Sequence, residues 1–201
     1  VYPVNVMGAS KRACEILLRS MSALSKTSYI IVRFGNVLGS NGSVIPLFQA
    51  QIESGGPVKV THPNIERFFM TISEAVQLVM EASFIGKNGD VFVLDMGKPV
   101  KILDVAKSMI KMAGVDNIEI QFTGLRPGEK LKEELWYKYE EVEPTSNNKI
   151  FHVKKCGTPL SGLEKSLDDL ENLSKERNLK EIVDKLKDIV PEFIPTGQRN
   201  I

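Results

Sequence analysis

The feature that most narrows the folds open to this chain is its alternation of short apolar runs with longer stretches of helical periodicity. From residue 6 to about 25, Met7, Ile16, Leu17, Met21 and Leu24 recur near helical spacing, and residues 29–34 follow as a compact apolar strand. Residues 44–54 read as a helix that Ser43 is placed to cap. Residues 58–62 and 67–71 read as strands around a turn at 63–66, and Ser73 opens a helix with its own cap. The run 90–95 is apolar enough for a central strand. An amphipathic helix at 102–113 and strands at 118–122 and 149–154 continue the pattern. Strand-helix alternation of this kind predicts an α/β layer architecture with some parallel pairing.

The tail differs. Leucines and isoleucines at 160, 163, 167, 170, 173, 179, 182, 186 and 189 predict two helices broken near Asn178, each too short for a coiled coil and suited to core packing. With 201 residues, 42% hydrophobic and 25% charged, the chain can bury its own core as an ordinary soluble domain. Cys14 and Cys156 match no metal-ligand spacing, which argues against a disulfide framework or zinc site and for a reducing cytoplasm. A net charge of +1 and 26 dispersed basic residues give no track for nucleic acid. No stretch nears the roughly 20 apolar residues of a membrane span, so no membrane contact is expected from this segment. Because Val1-Tyr2-Pro3-Val4-Asn5 runs straight into a helix with no strand before it, the chain reads as an excised fragment.

Gly35-Asn36-Val-Leu-Gly39-Ser40-Asn41-Gly42-Ser43 is a glycine-rich loop between a strand's carboxyl end and a helix start. Open α/β sheets bind ligands there, and exposed amides at a helix start suit a diphosphate. Asn36, Gly39, Ser40, Asn41 and Ser43 are therefore candidate ligand residues, with Gly39 and Gly42 expected to allow close approach. Arg33, inside an apolar strand, reads as a structural ion-pair partner ranking below Asn36, and His62 as a turn residue. Met7 and Lys11, four apart, share one helix face.

Four runs occur in order: Tyr2-Pro3-Val-Asn-Val-Met7-Gly-Ala-Ser-Lys11-Arg12, Val32-Arg-Phe-Gly-Asn-Val-Leu-Gly-Ser-Asn-Gly-Ser-Val44, Arg67-Phe-Phe-Met-Thr71 and Gly124-Leu-Arg-Pro-Gly-Glu-Lys130. Over residues 1 to about 154 the chain thereby closely resembles the polysaccharide-biosynthesis branch of the extended short-chain dehydrogenase family, which contains the UDP-N-acetylglucosamine 4,6-dehydratases. The resemblance implies the carboxy-terminal part of such an enzyme. Residues 1–57 would be a remnant of the Rossmann domain, 58–154 an α/β substrate-binding region and 155–201 a helical tail. It implies that Lys11 holds the nicotinamide ribose and favours the ionised form of a neighbouring acid. The family's usual tyrosine is replaced by Met7, whose thioether cannot act as general base. A subgroup similar to the membrane-anchored, retaining dehydratases carries methionine there and relies on a Thr-Asp-Lys run that would lie upstream of Val1.

By the same resemblance Arg67 clamps the nucleotide diphosphate with its planar fork, and Arg126, in a Pro-Gly turn, reaches ribose and phosphate from the opposite side. Glu129 reads either as a group that orients Arg126 or as a solvated surface carboxylate, and by the resemblance the backbone of residues 58–62 lines a uracil pocket. The implied lyase reaction oxidises carbon 4 of the sugar, removes water across carbons 5 and 6 and returns the hydride to carbon 6. NAD, or NADP, belongs to the parent, and the chain alone is expected to bind none and to be inactive. A UDP-sugar is the expected partner. A homo-oligomeric, cytoplasmic parent held to the inner membrane by upstream segments, serving surface polysaccharide synthesis, completes the expectation. A UDP-sugar epimerase of the same superfamily, and a catalytically silent sugar-nucleotide-binding or assembly module, remain the alternatives.

Overall fold

The computed structural model describes residues 1–40, 42–115, 117–154 and 162–196. A four-stranded sheet runs in the order β1 (Ile31–Arg33), β6 (Val91–Leu94), β10 (Ile150–Val153), β9 (Val142–Pro144). β1 and β6 are parallel, with Ile31 opposite Val91, and the other two strands join antiparallel. All of β6 is buried because both faces of the sheet are covered. On one, α3 (Ile72–Ile85) sets Ala75, Leu78 and Ala82 against Phe92, Leu94 and Ile150. On the other, Ile31, Val91, Val93 and Val153 meet Leu18 of α1 (Val6–Ser22). The cap of α3 is Thr71, which accepts from the Glu74 amide at 3.1 Å, two residues ahead of the expected Ser73.

A second core joins α2 (Val44–Glu53), β3 (Val58–Val60), α4 (Ile102–Met112) and β8 (Ile120–Phe122) around Phe48, Ile52, Val58, Val60 and Ala106. β3 and β8 are parallel. From the first expected segment, β1 pairs with β6, and α2 packs on β3 and α4.

Residues 67–71, expected as one strand, are two short bridges. β4 (Glu66–Arg67) pairs antiparallel with β7 (Val100–Lys101), and β5 (Phe69–Met70) pairs parallel with β2 (Asn36–Val37). The chain changes partner at Phe68, whose carbonyl accepts from the Asn36 amide at 3.0 Å. Gly35 makes that approach possible, since a Cβ there would lie 2.9 Å from Phe68 Cβ.

From the expected stripe of large apolar residues the buried face of α1 takes only Ile16, with Leu17 packed against the same core. Met7 is 65% and Leu24 85% exposed, whereas Ala9, Arg12, Ala13 and Ile16 are buried. Against the two alanines lie Leu186 and Ile189 of α6 (Leu179–Ile189), with Val190 and Phe193, while α5 (Leu163–Glu176) contributes Leu163. The side chain of Asn178 caps α6 by accepting from the Glu181 amide at 3.3 Å, so the expected break and the core packing of the tail both hold. Leu160 and Cys156 lie outside the described residues. No helix among the described residues is long and apolar enough to cross a membrane.

Candidate functional site

Two adjoining clefts, of about 390 and 570 Å³, share a wall formed by Asn36, Arg67, Arg126 and Glu129. The smaller is bounded by the glycine-rich loop through Ser40 and Ser43 and by β3; the larger is bounded by Met7 and Lys11. The structure thus brings residues from four distant sequence segments to one place.

Asn36 is fixed where β2 pairs with β5. Gly39 and Gly42 have φ of +75° and +72°, and a Cβ on either would meet nothing within 4 Å. Their need is therefore the left-handed turn rather than close approach within the chain, and Gly39 lines neither cleft. Ser43 occupies the cap position of α2 but makes no capping hydrogen bond, contrary to expectation, and its buried Oγ has no partner among the described residues. Asn41 lies outside the described residues.

Arg67 is held by three neighbours. Its Nη1 donates to the Glu66 carbonyl at 2.8 Å, its Nη2 lies 3.7 Å from Glu129 Oε1, and its Nε lies 3.4 Å from Glu133 Oε1. Burial pushes the Glu133 carboxyl above its ordinary range, while the Arg67 charge opposes that rise. Glu129 accepts from Thr61 Oγ1 and from the Arg126 amide, both at 3.0 Å, and so fixes the backbone of the turn from which Arg126 projects. The exposed Arg126 guanidinium has no ion pair among the described residues.

The start of α1 is locked to that turn. Asn5 caps the helix by accepting from the Gly8 amide at 2.7 Å, and its Nδ2 donates to the Gly128 carbonyl at 2.9 Å. Gly128 has a φ of +78°, and a Cβ on it would lie 2.7 Å from Asn5 Cβ. This joint turns the exposed Met7–Lys11 face toward the larger cleft. An Asn before a helix is a readable capping signal, but its second bond, like Thr61 and Glu133, is supplied by residues far off in sequence.

Arg33 is the structural ion-pair residue expected. It donates to both Glu15 oxygens at 2.8 and 2.5 Å and to both Glu140 oxygens at 2.7 and 2.8 Å. Arg12, on the next turn of the same network, pairs with Glu15 and with Glu192 at 3.0 Å. Its guanidinium lies 4.7 Å from the centre of the Tyr137 ring. Burial raises the Tyr137 hydroxyl to about 12, so it stays protonated at neutral pH.

A mixed sheet with a parallel β1–β6 pair covered on both faces, a Met-x-x-x-Lys helix beside it and a cleft at the loop after the strand define the class: the architecture is that of part of an extended short-chain dehydrogenase. Residues 1–155 match the family described as Polysaccharide biosynthesis protein, and the chain belongs to it. Among relatives, the Capsular polysaccharide biosynthesis protein CapD of Staphylococcus aureus is 53% identical over 184 residues, 90% of this chain and 31% of that protein. A UDP-glucose 4-epimerase of Rickettsia canadensis is 42% identical over 139 residues, 67% of this chain and 40% of that protein. The solved structure of Pen from Bacillus thuringiensis superposes with a TM-score of 0.70 at 38% identity, over 76% of this chain and 49% of that one. The chain therefore spans about a third to a half of the length of these relatives.

Proposed function

We propose that this chain is the substrate-gripping part of a nucleotide-sugar 4,6-dehydratase that acts on UDP-N-acetylglucosamine with NAD in surface polysaccharide synthesis. The observation that carries the reading is the wall common to the two clefts. A diphosphate held between Arg67 and Arg126 would send its nucleoside toward Ser40, Ser43 and β3, and its hexosamine toward Met7 and Lys11. A buried hydroxyl without a partner costs about 1–3 kcal/mol, and a ligand polar atom at Ser43 Oγ would recover it. Arg126 offers a fork with no ion pair among the described residues, and Arg67 is already oriented by Glu129 and Glu133.

Lys11, exposed beside an open cleft, fits a ribose hydroxyl of the nicotinamide cofactor, which supplies hydride exchange at carbon 4 when bound. Met7 has no ionisable proton, so the proton-transfer groups are proposed to lie in the part of the longer relatives that this chain does not span. The Rickettsia relative favours a second reading, a 4-epimerase; the methionine in place of tyrosine speaks against it.

The test is binding and product analysis on the protein that carries this chain. Arg67→Ala and Arg126→Ala should each weaken UDP binding by roughly tenfold to a hundredfold in calorimetry, as expected for loss of a charge-assisted hydrogen bond. Lysine at either position should rescue poorly, because it keeps the charge and loses the fork. NMR of the product from UDP-N-acetylglucosamine should give a 4-keto-6-deoxy sugar. A carbon-4 epimer would establish the second reading, and unchanged UDP affinity in both variants would move the nucleotide elsewhere.

A further inference from the structure

Beyond residue 155, where the family match ends, lie α5, α6 and residues 190–196. The likeness to CapD takes up 90% of the chain, so it runs past that end. The contacts of the tail converge on α1 and on the backbone that leads into it. Leu186, Ile189, Val190 and Phe193 cover Ala9, Ala13 and Ile16. Glu192 Oε1 lies 3.0 Å from Arg12 Nη2 and accepts from Tyr139 Oη at 2.5 Å. The Ile194 amide donates to the Pro3 carbonyl at 3.2 Å, and the Thr196 amide and hydroxyl donate to the Val4 carbonyl at 3.2 and 3.0 Å. Thr196 Oγ1 also lies 3.5 Å from where a Cβ on Gly128 would sit, beside the bond from Asn5 to Gly128.

We propose that residues 190–196 form a positioning strap that sets the pose of the Met7–Lys11 face relative to the Arg126–Glu129 turn, with Glu192 acting through Arg12 and Thr196 through the Val4 carbonyl. Arg12 follows Lys11 on α1, and successive helical residues are about 100° apart, so a clamp on Arg12 fixes the rotation of the helix and with it the direction of Lys11. The strap holds α1 by its buried flank and by its entry, and it reaches the Asn5–Gly128 joint between the start of α1 and the anion-facing turn. Neither Glu192 nor Thr196 lines either cleft, so both act through other residues. The ligand half of the proposal rests on the nucleotide-sugar reading given above; the geometric half does not.

The experiment compares wild type with Glu192→Ala, Glu192→Gln and Thr196→Val. Amide hydrogen exchange without ligand should accelerate by about tenfold or more at residues 8–12 and at Glu129 in Glu192→Ala, with α5 and α6 unchanged. Glu192→Gln, which can still accept from Tyr139, should be intermediate, and Thr196→Val removes a single hydrogen bond and should fold. In calorimetry the same variants should lose about tenfold more affinity for UDP-N-acetylglucosamine than for UDP, because only the sugar reaches the α1 face. Exchange that rises evenly through α1, α5 and α6, or not at all, would overturn the strap, as would equal losses for the two ligands. If wild type binds neither ligand, the functional reading fails, and the exchange pattern still decides the strap.

Discussion

At the scale of single residues the site depends on places where only one side chain fits. Gly128 combines a φ of +78° with a contact that leaves no room for a Cβ beside Asn5. A non-glycine residue in left-handed backbone costs roughly 1–2 kcal/mol, and displacing Asn5 adds to that. Gly128→Ala should therefore lower stability by at least about 2 kcal/mol in urea unfolding; an unchanged midpoint would mean that the turn relaxes freely. By contrast Gly39 and Gly42 face open space, so their substitution would act through backbone conformation alone. As candidates, Asn36, Ser40 and Ser43 come from a local glycine-rich loop and Arg67 and Arg126 from the resemblance, and the structure sets Asn36, Arg67, Arg126 and Glu129 on one cleft wall. What Glu129 does was readable only in part, since its Thr61 partner is 68 residues away.

At the scale of elements, α1 shows how a helix can be anticipated while its orientation is not. Its extent follows from periodicity, but the residues that face inward are chosen by what packs against them, and α6 selects the small Ala9 and Ala13 over Met7. Its entry is set by Asn5, which both caps the helix and holds the Gly128 carbonyl. Asn5→Ala should cost about 1 kcal/mol for the cap and about 1 more for the second bond. Asn5→Asp keeps the capping oxygen and loses the donor, so its stability should fall between wild type and alanine. Equal losses in the two variants would show that the cap contributes nothing. The bridges at β4 and β5 are the opposite case: Arg67-Phe-Phe-Met-Thr71 reads as one strand because nothing local reveals that its partner changes at Phe68.

At the scale of the whole molecule, one ionic network joins α1, β1, residues 137–140 and the tail through Arg12, Glu15, Arg33, Glu140 and Glu192. Burial disfavours the charged form of Glu15, but the hydrogen bonds and charge of Arg33, with Arg12, outweigh it, and the carboxyl titrates below its usual 4.5. Glu192 is likewise lowered against its burial, chiefly by the bond from Tyr139. A carboxyl depressed in the folded state stabilises fully above its unfolded value and loses that contribution as pH falls through the folded one. Removing one partner of a buried pair costs about 3–5 kcal/mol, and a neutral amide that keeps some hydrogen bonds should cost somewhat less. Glu15→Gln should therefore be destabilised by about 2 kcal/mol or more at pH 7, and the gap to wild type should narrow as pH drops below 4.5. A gap in melting temperature that stays constant from pH 7 to about 3 would contradict this linkage.

The sequence by itself determined the alternation of strands and helices, the buried central strand, the paired tail helices and the loop, turn and helix motifs that carry the candidate ligand groups. Periodicity, glycine placement and apolar runs act over a few residues, and a reader of the chain has the same information that the backbone has locally. Only the tertiary structure decided which face of α1 is buried, where β4 and β5 exchange partners, which carboxylates Arg33 pairs with and that Arg12 joins the same network, and that Asn36, Arg67, Arg126 and Glu129 form one wall. Those outcomes rest on contacts between residues 18 to 180 positions apart. Their formation depends on packing and desolvation of the assembled chain, which no local pattern encodes.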